Sequence, residues 1–282
     1  MVDYTRIRED IERSGLAPAT KRSYQSKLRA FEVAASFPKD VKRAVAEVNR
    51  SGKASSEGSY LTFLLGVSRI SKEMKEVIGK QARALMQRVD VLATQSGDQK
   101  RERHAREGDV QWEEIMECGE RFTEPEEQLI FALYTQLPPQ RADFNAVEIV
   151  PSRARATNEG VNYYAKKEGD FIFRAYKSAR RYGEKVIRAP PKLRKMLAAL
   201  PKGQKYVLQG YDGEPLSPNT LSQKVKRAFA RACQMHVTIN TLRRSWAAKS
   251  MRGSPTDEQV AEYASQLDHS IATHRSYAFL EQ

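Results

Sequence analysis

A polar segment near the middle of the chain, Thr94 to Gly108, constrains the fold more than any other feature of the sequence. Its letters, TQSGDQKRERHAREG, contain many charged side chains and almost no apolar ones. Such a composition buries too little surface to offset the entropy of ordering the chain. We therefore expect an interdomain linker over residues 94–108, between one domain at residues 1–93 and another at residues 109–282.

The charge of the chain indicates its kind of partner. Lys and Arg number 48 against 35 Asp and Glu, a formal net charge of +13 that favours a polyanion, either nucleic acid or an anionic membrane. The membrane alternative is weak, because no apolar run approaches the roughly 20 residues that cross a bilayer. The basic excess lies on both sides of the linker, so two basic lobes could close around a DNA duplex.

Processing and cysteine signals narrow the class of protein further. The N-terminal letters MVDYTRIREDIER lack the apolar core of a signal peptide. Cys118 and Cys233 lie in no CxxC motif and near no His cluster, which argues against a disulfide scaffold and a Cys-rich zinc site. We expect a cytosolic or nuclear protein that binds no metal and no cofactor.

Hydrophobic periodicity predicts an all-helical first domain and a mixed second one. Apolar residues recur at helical spacing in the first domain over residues 18–35, 60–67 and 74–86. Short β-branched and aromatic runs predict strands over residues 147–150, 170–176 and 184–189, the last two joined by a Tyr182-Gly183 turn. Further helices are predicted over residues 112–118, 126–137, 191–199, 219–233, 240–250 and 258–267. The expected fold class is mainly α with a small antiparallel sheet (α+β).

Two arginines are candidates for holding an anion. Arg141 follows Pro138-Pro139 at a predicted helix start, where its guanidinium and the free backbone N–H groups would point at one spot. Arg243 lies in TINTLRRSW, a predicted helix that Thr238 can cap. Its neighbour Arg244 is an internal control, since one of the pair should point inward and the other outward. Taken singly, each is more often a solvated surface arginine.

Three further positions carry potential chemistry. Lys177 begins the turn KSARRYG directly after a predicted strand, and LDHSIATHRSYAF places His269 and Tyr277 eight residues apart. A lysine at a hairpin tip is usually ordinary turn chemistry, and a late tyrosine is usually a packing residue. Only their combination with the arginines favours a site.

The ordered set Arg141, Lys177, Arg243, His269 and Tyr277 resembles the tyrosine recombinase (phage integrase) family. The catalytic domain of that family carries an Arg, a hairpin Lys, a His-x-x-Arg, a late His or Trp and a nucleophilic Tyr in that order. TLRRSW resembles its LRHS-type helix, and LDHSIATHRSYAF resembles its LGHSS…Y ending. LYTQLPPQRADF, with YKSARRYG, resembles the divergent branch of large DNA viruses and mobile elements. APATKRSYQSKLRAF is similar to the helical core-binding domain, so the resemblance spans essentially the whole chain.

The resemblance implies a site-specific DNA recombinase or integrase that cleaves and rejoins double-stranded DNA through a 3′-phosphotyrosyl intermediate. Tyr277 would be the nucleophile, and Arg141 and Arg243 would hold the phosphate oxygens. Lys177 would protonate the leaving 5′ oxygen, and His269 would donate a hydrogen bond to the phosphate. The covalent link conserves bond energy, so neither ATP nor metal is needed. Exchange between two duplexes needs four active sites, which implies a homotetramer on DNA and a monomer or dimer when free.

Basic residues outside this set are candidates for phosphate contacts on DNA. Any single one is more often part of a solvated helix face or turn. The DNA-contact candidates are Lys21, Arg22, Lys27, Arg29, Arg180, Arg181 and Arg244.

One departure from the family pattern bears on how the nucleophile is activated. The usual His or Lys three residues before the second Arg is Asn240 here, which can donate a hydrogen bond to a phosphate but cannot accept a proton from Tyr277. Activation then falls on the phosphate, on water or on a nearby group. His236 and His274 are candidates by proximity in sequence, and each is expected on the surface.

A second departure concerns the first arginine. The acid commonly found three residues after it is Phe144, and Asp143 stands one position early. Asp143 can still orient Arg141 from behind.

Three other functions remain open from the sequence. A type IB topoisomerase uses much the same catalytic set but relaxes supercoils without a specific site. A catalytically impaired relative would bind DNA without cleaving it, with Asn240 as the symptom. A basic helical protein that binds RNA or protein partners would assign no role to Tyr277.

Overall fold

The computed structural model describes residues 3–34, 57–79, 81–107 and 110–278. The chain divides into two compact units, Met1–Arg103 and His104–Gln282. The boundary between them falls inside the polar segment at residues 94–108. That segment is helical up to residue 107, as the second half of the helix Ala82–Glu107. Its Gln, Lys, Arg, Glu and Ala residues have high helix propensity, so the backbone orders although the composition offers little to bury.

The first unit is all-helical over its described residues, as predicted. Its helices are α1 (Tyr4–Arg13), α2 (Pro18–Ala34), α3 (Glu57–Val67), α4 (Lys72–Ile78) and α5 (Ala82–Glu107). Helix α1 escaped prediction because its letters, YTRIREDIER, carry few apolar residues. Only Ile7 and Ile11 are buried, at the spacing of one helical turn, and Asp3 caps the helix by accepting from the Arg6 backbone N–H at 3.1 Å.

The core of the first unit is built from the apolar series that the sequence predicted. Leu28, Phe31, Phe63 and Leu64 are buried, while Ala35, the last residue of the first series, lies outside the described residues. The third series forms two helices, since α4 ends at Ile78 and α5 begins at Ala82. Leu85 of this series is buried, whereas Met86, its last residue, has half of its surface exposed.

The second unit surrounds a four-stranded sheet with helices. The strands are β1 (Val147–Val150), β2 (Asn162–Ala165), β3 (Asp170–Phe173) and β4 (Lys185–Arg188), in the order β1-β2-β3-β4. The helices are α6 (Trp112–Glu117), α7 (Pro125–Thr135), α8 (Ala179–Tyr182), α9 (Pro191–Ala198), α10 (Pro218–Cys233), α11 (Ile239–Ser250), α12 (Asp257–Gln266) and α13 (Ile271–Ala278). Short 3-10 helices cover Cys118–Arg121, Ala142–Ala146 and Arg153–Arg155.

The α+β class is confirmed, and the sheet differs from expectation in one respect. Strand β1 pairs with β2 in parallel, whereas β2–β3 and β3–β4 are antiparallel, so the sheet is mixed. Strand β2 was not predicted because all four of its residues are buried and its letters, NYYA, show no alternation. The expected turn between β3 and β4 is a longer loop that contains the short helix α8, and Gly183 supplies a positive φ of 71° there.

Phe144 anchors the 3-10 helix Ala142–Ala146 to the core of the second unit. Its ring makes edge-to-face contacts with Tyr134, Phe171 and Phe173, at centroid distances of 5.3, 5.6 and 5.6 Å. An aromatic ring at the position where a recombinase commonly carries an acid is therefore explained by packing. This anchor fixes the backbone that follows Arg141.

The two cysteines are joined in a disulfide, a pairing that their positions in the sequence did not predict. Cys118 and Cys233 are 115 residues apart in sequence, and their Cα atoms lie 5.8 Å apart. They meet because the end of α6 and the end of α10 pack into the same core. A single link is not a disulfide scaffold, but periodicity could not anticipate this pairing.

Neither a membrane span nor a metal cluster is found among the described residues. No helix there combines the length and apolarity that a bilayer crossing requires. Within the same ranges, no group of three or more His, Cys, Asp or Glu side chains is arranged to hold a metal ion.

Candidate active site

Arg243 lies inside the second unit because helix α11 turns it toward two backbone carbonyls. Thr238 caps the helix as predicted, accepting from the Thr241 N–H. Only 7% of Arg243 is exposed, and its guanidinium donates from Nη1 to the Pro139 carbonyl and from Nη2 to the Leu267 carbonyl, both at 2.6 Å. A buried cation needs such partners, and these two fix the plane of the guanidinium. Arg244 is half-buried and its Nε is inaccessible to solvent, so the inward position of Arg243 agrees with the prediction but the expected surface position of Arg244 does not.

Arg141, about 100 residues earlier in the chain than Arg243, contacts the residue directly after Leu267. Its Nη2 donates to the Asp268 carbonyl at 3.4 Å, and its Nη1 lies 3.8 Å from Asp268 Oδ2. Its own carbonyl accepts from the buried Tyr134 hydroxyl at 2.8 Å, which holds its backbone. The side chain keeps 30% of its surface exposed. The two arginines therefore converge on the dipeptide Leu267–Asp268, which leads directly into His269.

The helix that Arg141 precedes differs from the prediction. It is a 3-10 helix of five residues, Ala142–Ala146, instead of an α-helix. So short a helix provides no N-terminal anion site, and any anion binding at Arg141 depends on the guanidinium itself.

Asp268 connects the parts of the site, and it is not among the residues predicted from the sequence. Its carboxylate, 2% exposed, accepts from Lys185 Nζ at 2.6 and 2.7 Å, and Lys185 also donates to Gln140 Oε1 at 2.6 Å. Asp268 has a positive φ of 53°, a conformation that Asp tolerates better than most residues. Its contacts tie strand β4, the Arg141 segment and the turn before α13 together.

Burial shifts the ionisation of the groups around Asp268. It lowers the pKa of Lys185 below its ordinary value, with the ion pair to Asp268 opposing the shift. Burial likewise raises the pKa of Asp143, against the opposing charges of Lys185 and Arg141. Asp143 Oδ2 and Arg141 Nη1 are buried and have no hydrogen-bond partner among the described residues. Asp143 therefore lies close enough to Arg141 for the cation to affect its pKa, but no hydrogen bond joins the two side chains among the described residues.

His269 begins a chain of hydrogen bonds that leads away from the arginines. Its Nε2 lies 2.8 Å from His274 Nδ1, and His274 Nε2 lies 2.8 Å from Ser250 Oγ. Ser250 Oγ donates to the Ala247 carbonyl at 2.7 Å. The expectation that His274 lies on the surface was wrong: it is fully buried, because α13 packs its ring against Trp246 and Tyr263. His236, the other candidate, is exposed.

The remaining predicted catalytic residues make none of the hydrogen bonds described above. Lys177 is exposed in the loop between β3 and β4, and none of the contacts above involves it. Asn240 is exposed in the first turn of α11, three residues before Arg243 and so on the same helix face. Tyr277 belongs to α13, three residues after His274, and its side chain is outside the described set.

The predicted DNA-contact residues are largely solvent-accessible. Lys21 of α2 donates to the Glu12 carbonyl of α1, and Lys27 donates to Ser23 Oγ within α2 at 2.7 Å, so both side chains are partly held. Exposed residues among the candidates are Arg22, Arg29, Arg180 and Arg181.

Comparisons with solved structures identify the fold. A lambda integrase dimer bound to a COC' core site matches at a TM-score of 0.56 and 16% identity, over 97% of this chain and 75% of that one. Lambda integrase(75-356), also a dimer bound to a COC' core site, matches at 0.55 and 14%, over 97% and 93%. XerA recombinase matches at 0.44 and 13%, over 97% and 91%. No family model and no curated protein sequence matches the chain. The chain has the tyrosine recombinase fold.

One of the missed residues left a signal in the sequence. In the structure β4 alternates between half-buried and exposed residues, with Lys185 on the same side as Ile187, but its letters, KVIR, show no alternation from which this could be predicted. Asp268 stands where the LGHSS ending has Gly, a substitution that pointed to a special backbone conformation. Gln140 and Ser250 left no comparable signal, because only the tertiary contacts give them a role.

Proposed function

We propose that this protein is a site-specific DNA recombinase or integrase that works through a 3′-phosphotyrosyl intermediate. The observation that carries the proposal is the convergence of Arg141 and Arg243 on Leu267–Asp268. From that dipeptide the chain continues into His269 and then into the helix that carries Tyr277. A scissile phosphate beside these two guanidinium groups would lie next to the element that bears the nucleophile.

The reaction is a transesterification at phosphorus. The Tyr277 Oη–P bond forms as the P–O5′ bond breaks, the phenol gives up its proton, and the 5′ oxygen takes one. Arg141 and Arg243 stabilise the charge that builds on the phosphate oxygens, and because their cations are already held in place, little reorganisation is needed. Lys177 in the exposed β3–β4 loop protonates the 5′ oxygen. Asn240 donates a hydrogen bond to a phosphate oxygen.

DNA binding rests on charge as well as on the fold. The net charge is +13, and exposed basic residues lie on α2 and in the β3–β4 loop. Such residues suit contacts to phosphates, which supply most sequence-independent affinity. Strand exchange between two duplexes requires four copies, so we propose a homotetramer on DNA that forms from free monomers or dimers.

A covalent trapping experiment tests the activity. The full-length protein is incubated, with EDTA and without ATP, with a pool of nicked duplexes whose core sequence is randomised. Adducts that survive denaturation are then sequenced. Wild type should form adducts on a subset of sequences, and Tyr277→Phe, which lacks only the nucleophilic oxygen, should form none. Absence of any wild-type adduct overturns the enzymatic proposal.

The same material separates the competing functions. Relaxation of supercoiled plasmid that carries no selected sequence would favour a type IB topoisomerase over a recombinase. Sequence-specific binding without any adduct would favour an impaired, DNA-binding relative, which is the function that Asn240 leaves open.

A further inference from the structure

In the hydrogen-bond chain from His269 through His274 to Ser250, the donor and the acceptor of each bond can be assigned by starting from Ser250. The Ala247 carbonyl only accepts, so the single hydroxyl proton of Ser250 is used there. Ser250 Oγ must then accept at its other contact, which makes His274 Nε2 the donor across 2.8 Å. The fixed end of the chain thus determines which nitrogen of His274 carries the proton.

The same reasoning assigns the hydrogen on the His269 ring. A neutral imidazole carries one proton, so His274 with hydrogen on Nε2 presents a lone pair at Nδ1. That lone pair accepts from His269 Nε2–H across 2.8 Å. Neutral His269 then bears its lone pair on Nδ1, so its remaining ring nitrogen is a proton acceptor.

Both rings are held neutral in the free protein. Burial lowers the pKa of His274, and burial followed by the charges of His274, Arg243 and Arg141 lowers the pKa of His269 to about 3. The tautomers derived above therefore apply throughout the neutral pH range. Asp268, the nearby acid, is already engaged by Lys185.

We propose that His269 Nδ1 takes the proton from the phenol of Tyr277, and that His274 is a positioning residue that fixes the tautomer required. This inference rests on the proposed recombinase function. It supplies the proton acceptor that Asn240 cannot be. It also differs from the role expected from the sequence, because donation from Nδ1 to the phosphate needs the opposite tautomer.

The placement of the residues supports this assignment. His269 follows Leu267 and Asp268, the residues that contact the two arginines. His274 and Tyr277 lie three residues apart on α13, so they share a face of that helix. The element that fixes the base is thus the element that carries the nucleophile.

The proton balance of the step closes. The Tyr277 proton moves to His269 Nδ1 as the Oη–P bond forms, while Lys177 gives a proton to the 5′ oxygen as the P–O5′ bond breaks. His269 becomes an imidazolium that still donates from Nε2 to His274. A bound phosphodiester adds one negative charge and the transition state a second, which offsets Arg141 and Arg243 and raises the basicity of His269 as the reaction proceeds.

The first test is independent of activity. Ring-¹⁵N-labelled histidine NMR of the full-length, DNA-free protein reports which nitrogen of each ring carries hydrogen, and His269→Gln and His274→Gln spectra assign the signals. The expected result is hydrogen on Nε2 of both His269 and His274 across neutral pH. Hydrogen on Nδ1 of His269 would overturn the inference.

The second test separates a base from a hydrogen-bond donor in the trapping reaction at saturating DNA. His269→Gln keeps an N–H donor but has no basic nitrogen, so its cleavage rate should fall about 10²-fold or more, as far as that of His269→Ala. His274→Phe keeps the packing against Trp246 and should fall less, with DNA affinity unchanged. The exposed His236→Gln is the matched control and should cleave like wild type.

The outcomes distinguish the proposed role of His269 as the base from the proposed recombinase function on which it rests. Wild-type adducts together with rapid cleavage by His269→Gln would refute the base and leave the recombinase proposal standing. A wild type that forms no adduct on any DNA refutes the recombinase proposal, and the base assignment with it, whatever the tautomers are.

Discussion

The arginines of the candidate site and the basic residues of α2 are all cations, but they differ in how far they are buried and held by other groups. Arg243 is almost entirely buried and bonded to two carbonyls, and Arg141 is held beside Asp268. Arg22 and Arg29 on α2 are exposed to solvent. Fixed cations suit a transition state, because no energy is spent in orienting them as charge develops. Exposed cations suit affinity for a polyanion, which depends on the number of phosphates neutralised.

The largest expected effect is the loss of a fixed cation. Arg243→Ala should lower the rate of covalent adduct formation by about 10²–10³-fold while changing DNA affinity only a few-fold, because other basic contacts supply most binding. Arg244→Ala is the neighbouring control and should retain cleavage. Arg243→Lys keeps the charge but loses the planar pair of bonds to Pro139 and Leu267, and should resemble the alanine variant.

Thermal melting checks that Arg243→Ala remains folded. Equal losses of affinity and cleavage in a folded Arg243 variant would remove the distinction between the two kinds of cation.

A second prediction compares an exposed lysine with a fixed one. Lys177→Ala should slow cleavage about 10²-fold, because the 5′ oxygen leaves without a proton. A substrate with sulfur at the leaving 5′ position should restore its rate, since a thiolate leaves without protonation. Lys185→Met should also slow cleavage, by loosening Asp268, but sulfur should not rescue it. Rescue of Lys185→Met in place of Lys177→Ala would transfer the general-acid role to the fixed lysine.

The exposed cations predict a smaller effect, confined to binding. The double variant Lys21→Ala/Arg22→Ala should lower DNA affinity, and it should reduce the salt dependence of log K by about 0.9 for each phosphate contact removed. Cleavage at saturating DNA should be unchanged. Fluorescence anisotropy titrations at several salt concentrations measure the slope, and an unaltered slope would exclude these two residues from the DNA contacts.

The smallest expected effect is on the pH dependence of the free energy of unfolding. His269 has a folded pKa of about 3 against an ordinary 6.5, so the unfolded chain binds the proton more readily between those values. The contribution of His269 to the free energy of unfolding should therefore be fully present above pH 6.5. It should fall with acidification below that pH, by at most about 1.4 kcal/mol per pH unit. Urea unfolding at pH 7.5 and pH 5.5 measures the difference, and His269→Gln should reduce it. An identical pH dependence in wild type and variant would contradict the neutral, buried state of this ring.

Much of the fold was open to prediction from local patterns. Helix α11 illustrates why: Thr238 caps it, Ile239 and Leu242 form the buried stripe, and the next residue, Arg243, faces the core. Strand β2 illustrates the limit, since a short run that is buried throughout has no period to detect. The segment at residues 94–107 shows a second limit, because composition predicts whether a core can form and not whether a helix can.

The sequence by itself determined the basic character of the chain, its two units, and the order of Arg141, Lys177, Arg243, His269 and Tyr277. These follow from composition, periodicity and motif, all of which are local or additive properties. Only the tertiary structure decided that Asp268 joins Lys185 to the Arg141 segment and that His274 is buried against Ser250. Contacts between residues 24 to 127 positions apart depend on how helices and strands pack, and no local pattern encodes that packing.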